Sequence, residues 1–184
     1  MEDNEILDSQ ENFLPKKPLA LVQIAVILVF AGALIGASTN LINGLVSEIY
    51  FKNIMGWNFK GIWIAAISQG IFEGTLYGVL FSLIYTTSFA FITKVRGDWN
   101  FAKGVFFKII PLIYACWVIG GVIAVLLAFI FWEEYDQVII KVPQEIGSRM
   151  GYAWVGGSII GGVIGGIIAV PYSVIITTIN WLKE

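Results

Sequence analysis

The run from Gly61 to Thr93 limits how this chain can fold more than any other stretch. It holds one charged side chain, Glu73, in a length filled mostly by Leu, Ile, Val, Phe and Ala. A helix needs about 20 apolar residues to cross a hydrocarbon core of about 30 Å, and this run is longer. Every fourth residue from Ala66 is small: Ala66, Gly70, Gly74, Gly78, Ser82 and Thr86. At helical spacing these form one stripe. Glu73 lies beside it, with Gln69 and Tyr77 one turn to either side. The run reads as a transmembrane helix with a single acid deep inside it.

Three further runs share this character. The first extends from about Pro18 to Val46, with no charge between Lys17 and Glu48 and a small stripe of Gly32, Gly36, Asn40 and Gly44. Pro18 suits the first turn of a helix, where a missing N–H costs little. The third extends from about Ile109 to Trp132, with Pro111 expected in its first turn and a stripe of Cys116, Gly120, Ala124 and Ala128. The fourth extends from about Met150 to Trp181. Its stripe runs Ala153, Gly157, Gly161, Gly165 and Ala169, beside a second row of Ser158, Gly162 and Gly166. Pro171 falls inside this helix and leaves the carbonyl of Ile167 without a helical donor. Charged residues make up only 13% of the chain, against about 25% in ordinary soluble domains, and hydrophobic ones 58%.

The fold expected is therefore all-α: one bundle of four transmembrane helices over residues 18–184. Residues 1–17, rich in Glu and Asp, are expected to form a flexible acidic tail. They do not resemble a signal peptide, since the start is acidic and the apolar run that follows is too long. The connection from Ser47 to Lys60 mixes Tyr50, Phe51, Trp57 and Phe59 with charged residues, which suits a segment lying along the headgroups. Lys94, Arg96, Lys103 and Lys108 crowd the middle connection, opposed by Asp98. Four crossings put Lys16, Lys17 and Lys183 on that same side, and leave Lys52, Lys60, Lys141 and Arg149 on the other. Excess Lys and Arg mark the cytoplasmic side, so both termini are expected in the cytoplasm, with the chain in the plasma (inner) membrane.

Small residues let helix backbones approach closely in lipid, where there is little hydrophobic drive to bring helices together. Gly32 and Gly36, then Gly70, Gly74 and Gly78, are accordingly expected at helix contacts. So are Gly120 on the third run and Gly157, Gly161 and Gly165 on the fourth. The pattern resembles the glycine zippers of several oligomeric membrane proteins, which implies either packing within one bundle or a face for self-association. A short echo between residues 114–121 and 152–157 is accounted for by shared composition.

Little in the chain suggests catalysis. There is no histidine, and Cys116 is the only cysteine. The commonest base, metal ligand and thiolate cluster are thus missing, and no cofactor, metal site or catalytic residue is expected. Ser68, Ser82, Ser158 and Ser173 have no base beside them to activate a hydroxyl. The acids of the connections, Glu48, Glu133, Glu134, Asp136 and Glu145, read as solvated charges. No basic patch suits nucleic acid. The partners expected are the lipid bilayer and a second copy or another membrane protein.

Glu73 is the sharpest single residue. It lies about 18 Å along its helix from Gly61, too deep for the carboxyl to reach headgroups easily. It must take a proton, find donors or meet water. Asn40 and Asn43 on the first run, with Gln69 and Tyr77 on its own helix, are the candidate partners. One reading makes Glu73 polar glue, bonded to Asn40 or Asn43 in a dry bundle. The protein is then a non-catalytic scaffold, accessory subunit or self-assembling component. The alternative makes Glu73, Asn40, Asn43, Gln69 and Tyr77 an ion or proton site in a small channel or transporter, reached by a wet cavity. A third reading, a membrane enzyme with its site on the outer connections, has no matching constellation of residues.

Overall fold

The computed structural model describes residues 17–134, 139 and 141–183. The expected acidic tail, apart from Lys17, and Asp136 lie outside the described residues. Among the described residues five helices follow in order: α1 (Pro18–Val46), α2 (Glu48–Met55), α3 (Ile62–Thr93), α4 (Trp99–Ile130) and α5 (Ile146–Trp181). No strand occurs among the described residues. Four of the helices, with 29, 32, 32 and 36 residues, are long and apolar enough to cross a membrane. This is the architecture of a multi-pass membrane protein. The ends carrying Pro18, Thr93, Trp99 and Trp181 lie together and are termed proximal; the opposite ends are distal.

Local chemistry places the helix ends. Ser47 is extended (φ −151°) and closes α1, while its Oγ accepts from the N–H of Tyr50 at 3.3 Å and so caps α2. Gly56 ends α2 in the left-handed region at φ 70°, which costs glycine nothing. At the proximal turn Lys94 and Val95 both take positive φ, 51° and 63°. A branched side chain rarely tolerates that backbone, and the surroundings hold it there. The N–H of Val95 donates to Ala90 O at 3.0 Å, and its carbonyl accepts from Lys17 N at 2.7 Å. Asp98 then caps α4, accepting from the N–H of Phe101 at 3.2 Å.

Two boundaries depart from the sequence reading. Helix α4 begins at Trp99 rather than near Ile109. The Asp98 cap starts it early, and its charged first turns, with exposed Lys103 and Lys108, extend beyond the apolar span. Pro111 is consequently interior to the helix, where it leaves the carbonyl of Phe107 without its usual donor. Helix α5 begins at Ile146, which makes Arg149 a helical residue rather than a solvated loop charge. Arg149 is fully buried. Its guanidinium lies 3.5 Å above the Trp132 ring and donates to the carbonyls of Trp132 (2.9 Å) and Pro143 (3.3 Å).

The long helices pair as two antiparallel hairpins, α1 with α3 and α4 with α5. Glycine makes both pairings possible. Gly32 and Gly36 lie against the backbones of Gly70, Gly74 and Gly78, so closely that an added methyl would strike main chain. A methyl on Gly78 would lie 3.0 Å from Val29 Cα, and one on Gly120 would lie 2.7 Å from Gly161 Cα. Gly157 and Gly165 meet α4 in the same way, at Gly120 and Ala124 and at Ile113 and Cys116. Larger side chains fill the space between the hairpins. The proximal end is packed by Ile24, Leu28, Tyr85, Phe89, Val105 and Ile109. At the distal end α2 inserts Phe51, which stacks on Trp57 at 5.6 Å above Ile62, Ala66 and Val155.

Candidate functional site

Between these two plugs the hairpins do not fill the space. A cavity of about 390 Å³ runs down the seam, bounded by α1, α3, α4 and α5 together. Close glycine packing within each hairpin and bulky packing at both ends leave the middle hollow. Sites for small ligands run from about 300 to 1,000 Å³. The proximal part is lined by aliphatic and aromatic groups such as Leu80, Phe81, Ile84, Ile110 and Val170. Polar groups gather toward the distal part: Thr39, Asn40 and Asn43 from α1, Glu73 and Tyr77 from α3, and Trp117 from α4.

Glu73 lies about 17 Å along α3 from Ile62 by helix rise. Its Oε1 accepts a 2.8 Å hydrogen bond from Gln69 Nε2, the neighbour one turn earlier on its own helix. The bond expected from Asn40 or Asn43 is not formed. Asn43 Oδ1 instead accepts from Ser158 Oγ on α5 at 3.0 Å, which ties the two hairpins together. Asn43 is 0% exposed, and its Nδ2 has no partner. The indole N–H of buried Trp117 also has none. The Glu73 carboxylate therefore lies in a cavity lined mostly by carbon, with two unsatisfied donors enclosed in its wall. Each unpaired buried donor carries a desolvation cost of about 1–3 kcal/mol. Outside the spanning helices, burial holds the Tyr50 phenol above its usual range, and the Glu73 carboxylate adds to that shift.

Exposure locates the mouth. The lining side chains that keep wide exposure are Tyr77 (54%), Leu80 (58%) and Ile84 (49%) on α3 and Ile167 (66%) on α5. The opening thus lies on the flank of the bundle, facing acyl chains, while α2 covers the distal end. Of the five residues singled out in the sequence, Glu73, Asn40, Asn43 and Tyr77 line this one cavity. Gln69 stands behind it as the donor to Glu73.

Sequence reasoning missed Trp117 and the pairing of Ser158 with Asn43. A signal for the first existed: the other tryptophans fall near helix ends, where indoles settle at headgroups, while Trp117 falls in mid-span. It packs edge-on against Trp154, with ring centroids 5.6 Å apart. Among the described residues no group of three or more His, Cys, Asp or Glu could hold a metal ion. The chain matches no protein-family model, no curated protein and no solved structure with which it was compared.

Proposed function

We propose that the chain is a small, non-catalytic membrane transporter or channel, in which Glu73 handles the charge of a cation or proton inside the inter-hairpin cavity. One observation carries this reading. Glu73 lines a cavity reached by all four long helices, while its hydrogen bond runs along its own helix to Gln69. An acid that served only to fix helix register would bond across the seam. Asn43 and Ser158 already make that bond. A self-assembling role loses the surface it would use, because the rows through Gly32, Gly70, Gly120 and Gly157 are taken up inside the hairpins, and Gly162 and Gly166 of the second α5 row line the cavity. The same reading places the chain in the plasma membrane with both termini in the cytoplasm, since Lys17, Lys94, Arg96, Lys103 and Lys108 gather at the proximal end.

The test is flux through reconstituted protein. Glu73→Gln keeps the shape and a hydrogen bond to Gln69 but cannot ionise. In liposomes the native chain is expected to carry a pH-dependent flux of protons or monovalent cations, reduced at least about tenfold in the variant, as for an interaction of about 1.4 kcal/mol or more. Equal fluxes would overturn the proposal.

A further inference from the structure

We infer that the ligand of this cavity is a lipophilic amine: an apolar body with one protonated nitrogen, entering from the bilayer. The inference rests on the reading that Glu73 faces a working cavity, and it adds the chemical class of what enters.

The lining decides the class. A bare sodium or potassium ion needs several oxygens around it, and few are free here. Asn43 Oδ1 is held by Ser158 and Glu73 Oε1 by Gln69, which leaves the Thr39 and Tyr77 hydroxyls, Asn40 and the second Glu73 oxygen. Beyond these and Trp117, the wall is carbon. Such a wall gains more from covering an apolar body than from stripping a small ion of its water. Glu73 supplies a negative charge at mid-depth for a cationic nitrogen. The lateral mouth suits a compound that partitions into lipid first. Proton and amine readings also differ in the volume they need. A proton site requires a wet carboxyl only, whereas this cavity is the size of a drug-like ligand.

The experiment titrates the purified full chain in detergent with N,N-dimethyl-1-naphthylmethylamine, read by naphthyl fluorescence, alongside the uncharged 1-isopropylnaphthalene. Saturable amine binding is expected, at least tenfold weaker in Glu73→Gln. The uncharged analogue should bind weakly and equally in both proteins, and 100 mM NaCl should not displace the amine beyond general screening. A second variant guards against a folding defect. A methyl at Gly166 would meet nothing within 4 Å, and Gly166 lines the cavity, so Gly166→Leu places its larger side chain in that space. It should abolish amine binding while leaving the melting midpoint intact. Equal binding of the amine to native chain, Glu73→Gln and Gly166→Leu would overturn the inference, as would equal affinity for the uncharged analogue, which marks a general lipid slot. The two proposals fail separately. Lost flux in Glu73→Gln without amine binding removes the ligand class and keeps the transport reading. Glu73-dependent binding with unchanged ion flux does the reverse.

Discussion

Gly161 and Gly166 lie on the same helix, a little over one turn apart, yet an added methyl meets opposite surroundings at the two. At Gly161 it would lie inside contact distance of the Cys116 carbonyl oxygen, 3.0 Å from Gly120 Cα and 3.1 Å from Cys116 C. All three atoms are main chain of α4 and cannot rotate away. At Gly166 it would meet nothing within 4 Å. Replacing either glycine by alanine adds the same helix preference, about 1 kcal/mol, so that gain cancels in the comparison. What remains is the cost of prising α4 from α5, about 1–3 kcal/mol for overpacking a fitted seam. For a chain of this size each kcal/mol moves the midpoint by about 2–4 °C. Gly161→Ala is therefore expected to melt about 2–12 °C below Gly166→Ala, measured by far-ultraviolet circular dichroism in one detergent at one scan rate. Fixing the scan rate matters because membrane proteins often unfold irreversibly. Equal midpoints, or a more stable Gly161→Ala, would refute the claim that backbone contact at glycine holds this hairpin together.

Two further outcomes follow from other contacts. Ser158→Ala removes the donor to Asn43 Oδ1 at a fully buried site, leaving the whole amide unpartnered. The expected cost is about 1–3 kcal/mol, read as a lower melting midpoint, and an unchanged midpoint would show the bond to be dispensable. At the proximal end the Lys17 ammonium, 2.9 Å from Asp98, holds the Asp98 carboxyl below its usual range, with help from the N–H of Phe101. A depressed carboxyl contributes stability above its unfolded value of about 3.9 and loses it as pH falls through the folded value. Both side chains are over a third exposed, so screening limits the pair to about 0–1 kcal/mol. Lys17→Met should lower the midpoint slightly at pH 7, with the difference beginning to shrink near pH 4, vanishing once the pH is below the folded value of Asp98, and vanishing in 1 M salt. A difference that persists at low pH would assign the effect to packing instead.

Some of the site could be read from the chain before any coordinates. Gln69 and Glu73 are four residues apart, and helical geometry alone makes them neighbours. That Glu73 is too deep to reach headgroups easily followed from counting residues. The partner of Asn43 could not be foreseen. Ser158 lies 115 residues away, and any polar group facing the seam at that level would have served. Arg149 looked like a loop charge because sequence position does not reveal that Trp132 and two carbonyls close around it. The start of α4 was misplaced because Lys103 and Lys108 marked the edge of the apolar run, and a capped helix need not stop at that edge.

Local rules bound the elements themselves. Apolar length made four spanning helices unavoidable, and small residues at four-residue spacing marked the edges along which backbones could touch. Spacing of that kind records that a helix has a narrow edge without recording which other edge meets it. The coordinates settled that choice by pairing α1 with α3 and α4 with α5, drawing each pair so close that bulky groups were pushed to the two ends. The hollow beside Glu73 follows from that arrangement. It is a property of four surfaces that do not fit in the middle, and no single helix encodes it.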